Sequence, residues 1–151
     1  MKKFLLCLIV CLGGGWLTGL FTQHGVKEWY PHLIKPYGTP PDIMFPIVWT
    51  ILYICMAGAL TLVWASKTNQ KTKAVFFFIV QLLLNFLWSW LFFHLQSPGL
   101  ALIDIAFLWV FLALTIAQFW KHSHASAYLL LPYMAWVTYA CYLNLFIWLH
   151  N

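Results

Sequence analysis

A chain of 151 residues with 8 Lys and Arg, 3 Asp and Glu, and 64% hydrophobic side chains has too few charges to cover itself in water. Soluble domains carry about 25% charged residues, against 7% here. A water-soluble globule is therefore excluded, and so is nucleic-acid binding, which needs a basic patch on a soluble face; the mean hydropathy of +0.84 places the chain in a bilayer.

A membrane-spanning helix needs ~20 apolar residues at ~1.5 Å rise each. In chain order, five segments qualify: 4–22, 45–65, 75–95, 99–120 and 127–149. They are separated by "TQHGVKEWYPHLIKPYGTPPD", "SKTNQKTK", "QSP" and "KHSHAS". Three of these connectors are short, which predicts that sequential helices are antiparallel neighbours. The expected fold is an all-α membrane protein, a single five-transmembrane-helix bundle over residues 1–151.

The first span opens "MKKFLLCLIVCLGGG". A basic pair before an apolar run also describes a signal peptide. No A-x-A cleavage site follows, and in "LIVC" Val10 stands where a lipoprotein box wants a small residue, so a retained helix is expected. Gly13, Gly14, Gly15 and Gly19 flatten one side of it, and Gly15/Gly19 form G-x-x-x-G. That pattern suits close packing inside the bundle or a homodimer face.

The long first connector, residues 23–44, reads as a lid. Pro36, Pro40 and Pro41 stiffen it and reduce the entropy lost on ordering. Asp42 is placed to cap the second span, where a carboxylate meets the positive helix end. Pro46 falls in the first turn, where a missing N–H does little harm. Tyr30, Lys35, Lys27, His24 and His32 form a weakly cationic mouth, suited to an acidic, mostly apolar ligand.

Polar groups recur below this lid. On the third span Gln81, Asn85 and Ser89 repeat every four residues and share a face. Asp104 lies on the fourth span and Asn144 on the fifth. Counted from the outer helix ends at ~1.5 Å per residue, Asp104 and Asn144 lie ~8 Å deep, Ser89 ~9 Å and Asn85 ~15 Å. Each alone is ordinary interhelical glue; clustered at one end, they indicate a cavity. Asp104 has no obvious acid–base partner and either holds a neighbouring helix or takes up a proton.

Ten Trp need placing. Trp64, Trp120, Trp148 and Trp29 fit the interfacial belts. Trp16, Trp49, Trp88, Trp90, Trp109 and Trp136 lie well inside spans, some of them facing lipid. Trp49 is set to stack on Tyr53 at i+4, and Tyr133, Trp136, Ala140 and Asn144 form one stripe on the fifth span. Apolar, aromatic walls with a few polar groups describe a site for a flat, greasy ligand.

Six Lys (2, 3, 67, 71, 73, 121) lie on the N-terminal side and two (27, 35) opposite. This predicts a cytoplasmic N-terminus with the first loop and the C-terminus outside; a bacterial cell membrane is the expected location. Cys7, Cys11, Cys55 and Cys141 all fall in spans, so no disulfide is expected, and they read as small apolar filler. His122 and His124 lack further ligands nearby in sequence, so no metal site is expected. Nothing calls for a cofactor.

The stretches "WYPHLIKPYGTPPDIMFPIVWTILYICMAGALTLVW", "QLLLNFLWSWLFF", "PGLALIDIAFLW" and "LLLPYMAWVTYACYLNLFIWLHN" resemble, in order and over nearly the whole chain, the translocator protein family. That family is also called tryptophan-rich sensory protein or peripheral benzodiazepine receptor. The resemblance implies a five-helix bundle, often dimeric, with a pocket closed by the first loop. It implies binding of tetrapyrroles such as protoporphyrin, and of synthetic isoquinoline carboxamide and benzodiazepine ligands. It also implies light- and oxygen-dependent breakdown of porphyrin, with pocket Trp residues involved. Carried to matching positions, Trp49 and Asn85 would hydrogen-bond the ligand, with Trp136 across the pocket. Tyr30, Pro40, Phe45, Ser89, Ala140 and Leu143 would complete the wall. The sterol motif of animal members needs a Lys or Arg near its end, and none follows Lys121 here, so sterol binding is not expected.

Three functions are consistent with these residues. The leading one is a tetrapyrrole-binding protein that promotes porphyrin photodegradation through Trp49 and Trp136, with Tyr53 and Asn144 also in the wall. The others are a transporter of porphyrin-like compounds and a ligand-sensing protein whose loop changes state.

Overall fold

The computed structural model describes residues 2–68 and 71–151. Met1, and Asn69 and Gln70 of the predicted second connector, lie outside the described residues. The five helices are α1 (Lys2–His24), α2 (Met44–Ala65), α3 (Thr72–Ser89), α4 (Pro98–Trp120) and α5 (His124–His150). All five are long and apolar enough to cross a membrane. This is the five-span architecture that hydropathy predicts, with ends shifted by a few residues.

Local chemistry sets several of those ends. Pro98 opens α4, where its missing N–H would be unpaired anyway. Ser123 caps α5 by accepting from the Ser126 N–H. The Lys71 ammonium donates to the Trp64 carbonyl at 2.9 Å and to that of Ser66, neutralising the negative end of α2. The expected Asp42 cap is not made. Helix α2 begins at Met44 with Ile43 before it and no side-chain cap. Instead the Met44 and Phe45 N–H groups bond the backbone carbonyls of Pro41 and Asp42, at 2.8 and 3.3 Å.

Around the bundle the packed order is α1, α2, α5, α4, α3, with α3 returning against α1. Helices α2 and α3 are therefore not closely packed neighbours among the described residues, against the expectation from short connectors. Six residues separate Ala65 from Thr72. Such a segment reaches roughly 20 Å when extended, enough to pass the end of α1, the one helix between them in the ring.

The inner half is closed. Phe78 and Phe119 stack at 5.8 Å, and Val63, Ala74, Leu112 and Leu130 are wholly buried around them. Two glycines of α1 turn inward: a Cβ on Gly14 would sit 2.4 Å from the Phe86 ring, and one on Gly15 2.3 Å from the Tyr53 ring. Gly13 and Gly19 meet nothing within 4 Å. The G-x-x-x-G pair is thus split between an inward and an outward residue.

Mid-span tryptophans also divide. Trp16, Trp90 and Trp109 are exposed on the bundle's outside, whereas Trp88 is 7% exposed. Trp49 and Trp136 are half-buried.

Candidate functional site: an aromatic chamber under the first loop

The outer end is shaped by two departures from α-helix. Helix α1 continues past His24 as a π-helical turn, Gly25–Trp29, and a 3-10 turn, Tyr30–His32. Only residues 33–43 of the predicted lid are irregular. Helix α3 likewise continues as a π-helical turn, Trp90–His94. The two turns pack together: a Cβ on Gly25 would lie 1.8 Å from the Phe93 carbonyl oxygen, so only glycine permits this approach. The His94 Nδ1 lies 3.2 Å from the Phe21 carbonyl.

These turns aim rings inward. Each wider turn rotates the side chains beyond it relative to the α-helical stripe. Tyr30, 4% exposed, meets Phe93 at 5.6 Å and Phe45 at 6.0 Å, both edge to face. Trp88 stacks on Phe92 at 5.4 Å. Phe45 meets Trp136 at 6.0 Å. Edge-to-face and offset contacts at these separations suit the ring quadrupoles.

The rings enclose a chamber lined by Tyr30, Phe45, Trp49, Trp88, Phe92, Phe93, Trp136, Tyr139, Ala140, Leu143, Asn144 and Ile147. Its free volume is about 20 Å³, room for about one water molecule.

A polar floor lies beneath. Trp49 stacks on Tyr53 at 5.6 Å. The Tyr53 hydroxyl donates to Asn85 Oδ1 at 2.7 Å, and Asn85 Nδ2 donates to the Tyr133 hydroxyl oxygen at 2.9 Å. One wholly buried amide thus ties α2, α3 and α5 together across the gap between α2 and α3. Asn144 makes a second tie: its Nδ2 donates to the Pro98 carbonyl at 2.7 Å, and its Oδ1 accepts from Trp88 Nε1 at 3.0 Å. Asp104 is 6% exposed, and among the described residues its Oδ2 has no hydrogen-bond partner.

The loop roofs the chamber. Pro36 to Thr39 form a β-turn with Gly38 at φ +89°, the value that the third position of a type II turn requires. Helix α5 holds the loop at two points. The Tyr139 hydroxyl donates to the Gly38 carbonyl at 2.9 Å. The Asn151 amide accepts from the Ile34 N–H at 2.9 Å and donates to its carbonyl at 3.1 Å. Lys35 places its ammonium 4.3 Å from the Tyr30 ring centroid, while His24 and Glu28 pair at 3.1 Å on the exposed face.

Of the sequence-predicted site residues, Tyr30, Phe45, Trp49, Trp136, Ala140, Leu143 and Asn144 line the chamber. Tyr53 and Asn85 lie one layer below, in the floor, bonded to each other. Ser89 and Pro40 are half-buried and are not among the lining residues. Sequence reasoning missed Trp88, Phe92, Phe93, Tyr139 and Ile147 as wall. The i, i+4 spacing of Trp88 and Phe92 was a usable signal; the turn that adds Phe93 was not.

The chain is similar to known proteins along nearly its whole length. The TspO/MBR family profile matches residues 7–149. The tryptophan-rich protein TspO of Chlorobaculum tepidum is 43% identical over 141 residues, covering 92% of this chain and 89% of its own. That of Archaeoglobus fulgidus is 40% identical over 151 residues, covering 99% and 97%. The human translocator protein is 34% identical over 141 residues, covering 91% and 83%. With five apolar helices, a roofed aromatic end and similarity along nearly its whole length, this multi-pass membrane protein belongs to the TspO/MBR family.

Proposed function

We propose that this protein binds tetrapyrroles of the protoporphyrin kind in the aromatic chamber and promotes their light- and oxygen-dependent degradation. The observation that carries this reading is the convergence of Trp49, Trp88, Trp136, Tyr30 and Phe45 beneath one proline-stiffened loop. Such walls offer flat apolar faces, and Lys27 and Lys35 beside the roof supply charge for acidic substituents. Pockets for ligands of this size hold ~300–1,000 Å³, so loading requires the lining rings to part. Isoquinoline carboxamide and benzodiazepine-type compounds, being flat and apolar, fit the same faces.

The chemistry needs no acid–base pair. An illuminated macrocycle passes energy or an electron to oxygen, and a neighbouring indole is an oxidisable donor. The protein holds the ring beside Trp49 and Trp136 and excludes bulk water. Trp49 and Trp136 are the catalytic residues of this reading. With Trp49→Phe and Trp136→Phe made together, porphyrin binding persists while most light-driven loss of the Soret band disappears. Unchanged photolysis in the double variant rejects a chemical role for these indoles.

The names of relatives, translocator protein and tryptophan-rich sensory protein, point to transport or sensing as other outcomes. The attachment of the loop to α5, which also lines the chamber, favours sensing. Hydrogen exchange over residues 33–43 with and without protoporphyrin tests it, and identical protection counts against it. The six-to-two Lys bias supports a cytoplasmic N-terminus with the chamber on the opposite side of the membrane. A second copy packing on α1 in a homodimer would meet exposed Gly19, beside which a Cβ would find nothing within 4 Å.

A further inference from the structure

A second space lies on the outside of the bundle. A groove of about 450 Å³ runs between α2 and α5, lined by Val48 and Ile51 on one side and Pro132, Ala135, Trp136 and Tyr139 on the other. It exists because Pro132 and Ala135 present little side chain to α2. Ile51 is 54% exposed beside it, on the face that a bilayer would cover.

Trp136 and Tyr139 line both this groove and the chamber. Their rings, 5.9 Å apart, form the partition between the two spaces. The partition is also tied to the roof, since the Tyr139 hydroxyl donates to the Gly38 carbonyl.

We propose that the groove is a docking vestibule for a flat, mostly apolar molecule dissolved in the bilayer. From it the molecule reaches the chamber sideways, by displacing the Trp136 and Tyr139 rings. The inference rests on the chamber being the binding site, as proposed above. Three observations carry it. Of the two spaces, the groove alone has the volume of a small-molecule site. It opens where an apolar molecule is already concentrated, so passage from it requires no transfer through water. Its inner wall is the chamber's own wall, so the two are continuous once two rings swing. Displacing Tyr139 also breaks its bond to Gly38, so passage loosens the roof.

The test uses full-length protein in phosphatidylcholine vesicles and protoporphyrin IX supplied in the lipid, with binding and release followed by Trp quenching. Ala135→Phe fills the groove from α5, and Ile51→Trp fills it from α2 at an exposed position that tolerates bulk. Either variant slows association and dissociation by a common factor of about tenfold, the effect of ~1.4 kcal/mol on a barrier. A disulfide between Ile34→Cys and Asn151→Cys, which fastens the roof, leaves both rates within about twofold of the reduced form. Rates unchanged in both groove variants, or access abolished by the fastened roof, overturn the sideways route. Absence of saturable quenching in the parent protein overturns the binding reading itself, and the route with it.

Discussion

The two ends of this bundle are built from different side chains and behave as different materials. At the inner end, aliphatic residues interdigitate around the Phe78–Phe119 stack, and nearly every central side chain is wholly buried. At the outer end, Tyr30, Phe45, Trp88, Phe92, Phe93 and Trp136 meet through edges and faces. Branched aliphatic chains lock in three dimensions, and removing one leaves a cavity. Planar rings can slide or tip against one another at modest cost, because each ring contact is worth only about 0.5–1.5 kcal/mol beyond area burial. The inner half therefore fixes the fold, and the outer half, roofed by a loop held at two points, is the part that can open.

Truncating the inner core should separate these roles most sharply. Phe119→Ala removes a wholly buried ring and should destabilise the protein by about 3–5 kcal/mol, measured by unfolding in detergent. The folded fraction should still quench with protoporphyrin as the parent does. Loss of binding without loss of stability would erase the distinction.

The floor between the two halves comes next. Asn85→Leu strips the Tyr53 and Tyr133 hydroxyls of their shared partner and should cost about 2–3 kcal/mol, since a buried unpaired polar group costs ~1–3. Tyr53→Phe in that background should cost less than it does alone. Additive effects would show that the three groups do not act as one network.

The smallest effect belongs to the roof. Tyr139→Phe removes one hydrogen bond to Gly38, worth about 1 kcal/mol. Amide exchange across 33–43 should quicken by about fivefold, the factor that ~1 kcal/mol gives, with the inner core unaffected. Equal quickening at both ends would mean that the bundle opens as one unit.

The legible and illegible parts of the molecule divide along the same line. Five spans follow from hydropathy alone, because bilayer thickness sets helix length. The order around the ring does not, since six residues are enough to take the chain from α2 across to α3. The π-helical turns leave no local signature; they arise where Gly25 lets α1 close on the Phe93 backbone, a tertiary contact. Phe93, which the second turn adds to the wall, was missed for that reason. The family resemblance implied that Asn85 bonds a ligand, while its helical stripe was read as a polar face beneath the lid. The stripe was right, but the two tyrosines that meet the amide come from helices whose relative rotation no single sequence states.

The most direct test of the central claim is a titration of detergent-solubilised protein with protoporphyrin, read by Trp quenching, for the parent and for Ala140→Trp. Ala140 lines the chamber at 9% exposure, and an indole there fills the space that the macrocycle needs. The account predicts saturable one-site quenching in the parent and affinity weakened at least about tenfold in the variant, ~1.4 kcal/mol. Superimposable curves for the two proteins, or no saturation in the parent, would contradict it.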